Sequence, residues 1–218
     1  MSSNAPSLTT ARPAGRTRPR VFDADRVAYF ERAGWEAYYD HRWLRVLRLM
    51  VQLNRQQFAM SMSSAVSASL DIVRASRAFA PLDNDVPTAV MHLQRYYTKA
   101  QRSAGLRSDA ATLAGLEMDY WVVHRRLAIA RRAAPDHAGD IGPMVEALAR
   151  LHAALFDAPP EAIQRSAELR AQAAVAVDRI TGGYSGDLAA DWCEVEDLLR
   201  RAYRSVVNRE LREGQVPL

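Results

Sequence analysis

From Phe22 onward the apolar residues recur at intervals of three and four. Nowhere do they alternate over a run long enough for a half-buried strand. That spacing confines the chain to helices packed on helices. The punctuation between the periodic runs agrees with it. Pro81 follows SMSSAVSASLDIVRASRAFA, Gly105 follows TAVMHLQRYYTKAQRSA, and Gly182-Gly183 follow EAIQRSAELRAQAAVAVDRIT. Capping residues stand where runs begin: Asp23, Asp85, Ser108 or Asp109, Asp140 and Asp187, with Pro159-Pro160 opening one more. The expected architecture is all-α, a single-domain bundle of about seven helices with short loops over residues 22–213.

One boundary is ambiguous. The segment DADRVAYFERAGWEAYYDHRWLRVLRLMVQLNRQQF is longer than an average helix, so it is either one long helix or two with Asp40 capping the second. In the next run Met62, Ala65, Val66, Ser69, Val73 and Ser76 fall on one narrow face, where small residues allow close helix approach.

Residues 1–21 combine Pro, Ser, Thr, Gly and Arg with almost no apolar content and are expected to be a disordered basic tail. They contain no apolar core of the kind a secretory signal needs. No apolar run approaches the roughly 20 residues that cross a bilayer, so no membrane partner is expected. The one cysteine, Cys193, excludes an intramolecular disulfide and any Cys-rich metal site, and favours a reducing, cytoplasmic setting.

The formal charge is +4 and the isoelectric point about 9.5, values that point toward an anionic partner. A coding bias offers a second explanation. Lys99 is the one lysine, nearly every positive charge is Arg, and Ala is abundant, as a GC-rich gene produces. The basic clusters HRRLAIARR and RRAYR alternate with residues needed for packing and lack helix-turn-helix spacing. A nucleic-acid binder is therefore the weakest of three readings, and it requires one-sided clustering of Arg.

The stretch LEMDYWVVHRR, residues 116–126, is apolar around most of its helical circumference, as a central helix would be. Glu117 and His124 lie between the stripe of Leu113, Leu116, Tyr120, Val123 and Leu127 and the pair Trp121 and Ala128, so both are expected to point inward. They stand two turns apart, about 10.5 Å, too far for one metal ion to bridge easily. If this helix and the next form a tight hairpin about residues 133–139, His152 comes within a turn of His124. Glu117, Tyr120, Trp121, His124 and His152 are thus the candidate ligand-binding residues of one internal cavity. A buried carboxylate needs a partner, and Arg170, on the small-residue stripe of its own helix, is the candidate for Glu117.

Other constellations carry less. Glu36 and Asp40 read as a solvated face. No Glu-x-x-His occurs, which argues against a ferritin-like di-metal site. Cys193 is flanked by Asp191 and Glu194, which oppose thiolate formation, and no Gly-x-Ser-x-Gly is present. TGGYSGD lacks the Lys and the spacing of a phosphate loop. No cofactor is indicated.

Aromatic residues concentrate in YFERAGWEAYYDHRW and cover more than one face of a helix, which suggests a partner or homo-oligomer surface. The leading expectation is a soluble binding or interaction module, using that aromatic-rich first helix or holding a small molecule in a central cavity. The alternative is an enzyme using a buried Glu/His cluster for acid–base or metal chemistry.

Overall fold

Asp23 accepts from the backbone N–H groups of Asp25 and Arg26, and this cap starts the first of eight helices among the described residues. The computed structural model describes residues 22–133 and 139–214, and all its elements are helical: α1 Ala24–Tyr39, α2 Trp43–Phe58, α3 Met62–Phe79, α4 Val86–Ala104, α5 Ala110–Ala133, α6 Gly142–Phe156, α7 Pro160–Thr181 and α8 Leu188–Gly214. The expected tail, 1–21, lies outside the described residues.

The count is eight because the long first segment is broken. Asp40 does not cap α2; it ends α1. His41 takes φ +58°, Arg42 N–H reaches Ala37 O at 2.8 Å, and His41 N–H reaches Tyr38 O at 3.1 Å. That pair of bonds is a Schellman stop, with His41 in the left-handed position that glycine usually fills. Arg42 then stands at the start of α2 with no side-chain cap. Elsewhere the punctuation acts as read: Asp85, Asp109 and Asp187 accept from N–H groups of the turn that follows them. Gly105 ends α4 at φ +64°. Asp140 accepts from Gly142 N–H one residue ahead of the cap position, which Ile141 occupies.

Each helix packs on its neighbours in sequence, and α8 returns to pack on α1, so the chain closes into a ring. Ion pairs fasten the closing seam: Asp25 holds Arg204, and Arg32 bridges Glu36 and Glu196. The pairings 25 with 204 and 32 with 196 run in opposite senses, so α1 and α8 are antiparallel. Leu93, Leu113, Met144, Leu148, Ile163 and Leu199 are among the fully buried side chains of the interior.

Two expected faces are corrected. On α3 the buried side chains are Ala65, Ala68, Ser69, Asp71, Ala75 and Phe79, while Met62 and Val66 are exposed. Small residues let the helix sit close to its neighbours, which leaves the larger ones of the same turn at the flank. On α5 the arc that carries Val122 and Ile129 faces solvent, so α5 is a wall of the ring and not a helix surrounded on all sides.

Candidate functional site

The interior of the ring holds a charged cluster built from several helices. Glu31 of α1 is buried on the face formed by Ala24, Val27, Ala28 and Ala37. Its Oε1 lies 2.5 Å from Nη2 of Arg170 on α7, and its Oε2 accepts from Arg170 Nη1 at 2.9 Å and from the Tyr203 hydroxyl of α8 at 2.5 Å. Burial works against the Arg170 charge, yet the Glu31 carboxylate overcomes it and Arg170 stays firmly protonated. The Arg170 Nε is buried without a partner among the described residues.

Glu117 stands beside this cluster and outside its hydrogen bonds. Its carboxylate accepts from the Tyr97 hydroxyl of α4 at 2.8 Å and from Trp121 Nε1 at 2.7 Å. Burial raises its pKa, and the field of Arg170 together with the two hydrogen bonds only partly offsets that rise. The expected Arg170–Glu117 pair is thus replaced by Arg170–Glu31. Glu31 was legible by the rule that exposed Glu117: it sits on the apolar stripe of its helix, three residues beyond Ala28 and four beyond Val27.

The other candidates go to other partners. Tyr120 is buried and stacks on the His124 ring with centroids 5.7 Å apart. His124 Nε2 lies 2.9 Å from Asp178 Oδ1, and Arg131 Nη1 lies 2.5 Å from Oδ2 of the same carboxylate. A carboxylate only accepts, so His124 carries its proton on Nε2. His152 instead meets Ser166 at 3.1 Å through Nδ1, and burial, with help from Arg170, lowers its pKa to about 3, so the ring is neutral. Asp178 and Ser166 are twelve residues apart on α7, about 18 Å of helix rise. His124 and His152 are therefore held at separate levels. Instead of meeting each other, the two rings turn to separate partners on α7, because a shared inward face does not fix which residue of a neighbouring helix each one meets.

Two more polar clusters lie in the interior. Asn54 donates to Ser69 Oγ at 3.1 Å and accepts from the Tyr96 hydroxyl at 3.0 Å, which ties α2, α3 and α4 together. Asp71, buried on α3, takes Lys99 of α4, and His92 Nδ1 lies 3.9 Å away. Among the described residues no three His, Cys, Asp or Glu side chains gather as a metal-ligand set. A shallow groove lined by Phe79, Asn84, Val122, Arg125, Arg126 and Ile129 is open to solvent and includes none of the five expected ligand-binding residues.

The outside of the ring divides by charge. From Trp43 to Phe79 and through α4 from Val86 to Ala104, the helices carry one acid, Asp71, which is buried and paired. Against it α2 exposes Arg45, Arg48 and Arg55, α3 exposes Arg74 and Arg77, and α4 exposes Arg95 and Arg102. Asp83 and Asp85 lie at the α3–α4 connection. The opposite side is mixed: α1 and α8 neutralise one another through the seam, and Arg179 on α7 grips Asp191 and Glu194. A sum over the whole chain conceals this division, which is why +4 gave no warning of it.

Large apolar side chains are interleaved with these arginines. Leu44 is 87% exposed and Trp43 53%, and the Trp43 ring packs against His41 and Tyr38 at the α1–α2 corner. Met62, Val66 and Leu70 form an outward stripe four residues apart on α3, and Met91 stands outward on α4. Tyr29 and Tyr39 are also exposed on α1. No helix among the described residues is long and apolar enough to cross a membrane.

Comparison with protein-family models, with curated proteins and with solved structures finds no match to this chain.

Proposed function

We propose that the protein is a binding module that engages an anionic partner through the outer face of α2, α3 and α4. The observation that carries this reading is the absence of any exposed acid on these three helices, beside seven outward arginines. Charge of one sign over one face concentrates an oppositely charged partner and steers its approach. The aromatic corner continues the same face, with Trp43 and Leu44 in the first turn of α2. Pairing two copies through this face would set arginine against arginine, so a heterologous partner is preferred to a homo-oligomer. A catalytic or small-molecule reading needs Glu117, His124 and His152 to act together, and their separate partners give it less support. The exposed thiol of Cys193 fits a reducing, cytoplasmic setting.

Retention on a heparin matrix tests the reading. Arg48→Glu/Arg77→Glu/Arg102→Glu and the charge-matched control Arg126→Glu/Arg150→Glu/Arg165→Glu share one net charge. The first should elute at markedly lower salt than the second. Equal elution would mean that net charge, and not this face, governs binding.

A further inference from the structure

Resting on the reading of this face as an anion-seeking surface, we infer that its partner is an anionic lipid surface, which the three helices touch without inserting a span. Three observations select lipid from among polyanions. The first is the kind of apolar residue set between the arginines. Leu44, Met62, Val66, Leu70 and Met91 are aliphatic, and the exposed aromatic rings on this face, Trp43 with His41 and Tyr39, are confined to the α1–α2 corner. Single-stranded nucleic acid is held by flat rings that stack on bases, and aliphatic side chains offer it nothing comparable. An interfacial helix, by contrast, combines arginines with Leu, Met and Trp, because its apolar tips enter the acyl boundary while the guanidinium groups stay at the phosphates.

The second observation is the alignment. Met62, Val66 and Leu70 stand outward four residues apart, so they follow one line along α3, which packs between α2 and α4. A row of aliphatic tips on one line can enter the acyl boundary together. The third is the placement of charge on both sides of that line, Arg48 and Arg55 on α2 and Arg95 and Arg102 on α4. None of these four has an ion pair among the described residues. Each arginine near an anionic leaflet strengthens attachment severalfold, and the apolar tips then limit dissociation.

Co-sedimentation of the full chain with vesicles tests the assignment, using phosphatidylcholine alone and phosphatidylcholine mixed with phosphatidylserine. The chain should pellet with the mixed vesicles and stay in solution with phosphatidylcholine alone. Arg48→Glu/Arg77→Glu/Arg102→Glu should lower partitioning by at least about tenfold. Leu44→Ser/Val66→Ser/Leu70→Ser removes exposed side chains only, so the fold should survive, as circular dichroism will report. It should lose vesicle binding severalfold and keep its heparin retention. Retention on heparin with no binding to mixed vesicles would overturn the lipid assignment and leave the anion-seeking face standing. An oligonucleotide or acidic protein bound equally by the parent and by the triple-serine variant, with vesicles ignored, would overturn it in favour of that partner. Loss of both heparin and vesicle binding in the charge-matched control would overturn the face itself.

Discussion

Arg170 places Nη2 2.5 Å from Glu31 Oε1 and leaves the neighbouring carboxylate, Glu117, to a phenol and an indole. The two acids differ in their partners, one an ion pair and the other neutral donors, and that difference fixes what their substitution does. Glu31→Gln strands the Arg170 guanidinium and should destabilise the fold by about 3–5 kcal/mol. Glu117→Gln removes no counter-ion. It keeps an acceptor for Trp121 Nε1 and discards a carboxylate whose charged form burial disfavours, so it should fall within about 1 kcal/mol of the parent. The sign with pH follows. The folded pKa of Glu117 is raised, so its contribution is complete below the unfolded value of 4.5 and is lost as pH rises through the folded value. Glu117→Gln should flatten that decline. Urea unfolding of the two variants checks the pair, and equal losses would contradict the assignment of Arg170 to Glu31.

His152 gives a pH dependence of the opposite slope. Its pKa is about 3 in the fold against 6.5 when unfolded, so between those values only the unfolded chain takes the proton. Stability should fall as pH drops below 6.5, by about 2 kcal/mol from this residue at pH 5. His152→Gln should reduce the acid sensitivity of urea unfolding over that interval while Ser166 keeps a hydrogen-bond partner. An unchanged pH profile in the variant would show that His152 protonates freely in the fold.

Backbone strain at two helix stops predicts gains in stability. Ala59 at φ +52° and His41 at φ +58° hold the left-handed conformation without being glycine. Ala59 is exposed, so Ala59→Gly loses little contact and should stabilise by about 0.5–1 kcal/mol. His41→Gly relieves the same strain and loses the stacking on Trp43, so its gain should be smaller. Thermal unfolding of both variants distinguishes the two terms, and a loss of stability in Ala59→Gly would refute the strain argument.

Local signals carried the helices, because caps, stops and threefold-to-fourfold spacing are properties of a few adjacent residues. Asp23, Asp85, Gly105, Asp109 and Asp187 all act where the sequence places them. The same arithmetic put Glu117 and His124 inside. What local signals lack is the level at which one helix meets another. His124 goes to Asp178 and His152 to Ser166, and no periodicity encodes which residue of α7 each ring meets. The ring closure of α8 on α1 is equally non-local, and it alone brings Glu31 to Tyr203 across 172 positions. The basic face was present in the sequence as three helices with one acid among them. It became visible only when Asp71 proved to be buried and the arginines proved to share one side.

Asp178 offers the last test, since a single carboxylate there serves two side chains, Arg131 and His124. Arg131 is 6% exposed, and its Nε and Nη2 have no partners among the described residues, so Asp178 is what keeps its charge inside. Asp178→Asn should cost about 3–5 kcal/mol, because it leaves a buried guanidinium uncompensated. His124→Gln should cost far less, since that side chain is partly exposed and Asp178 keeps its pair with Arg131. The double variant Asp178→Leu/Arg131→Met removes both buried charges and replaces them with apolar side chains of similar reach. It should recover most of the loss. A double variant no more stable than Asp178→Asn would show that Asp178 acts chiefly through His124 and not through Arg131.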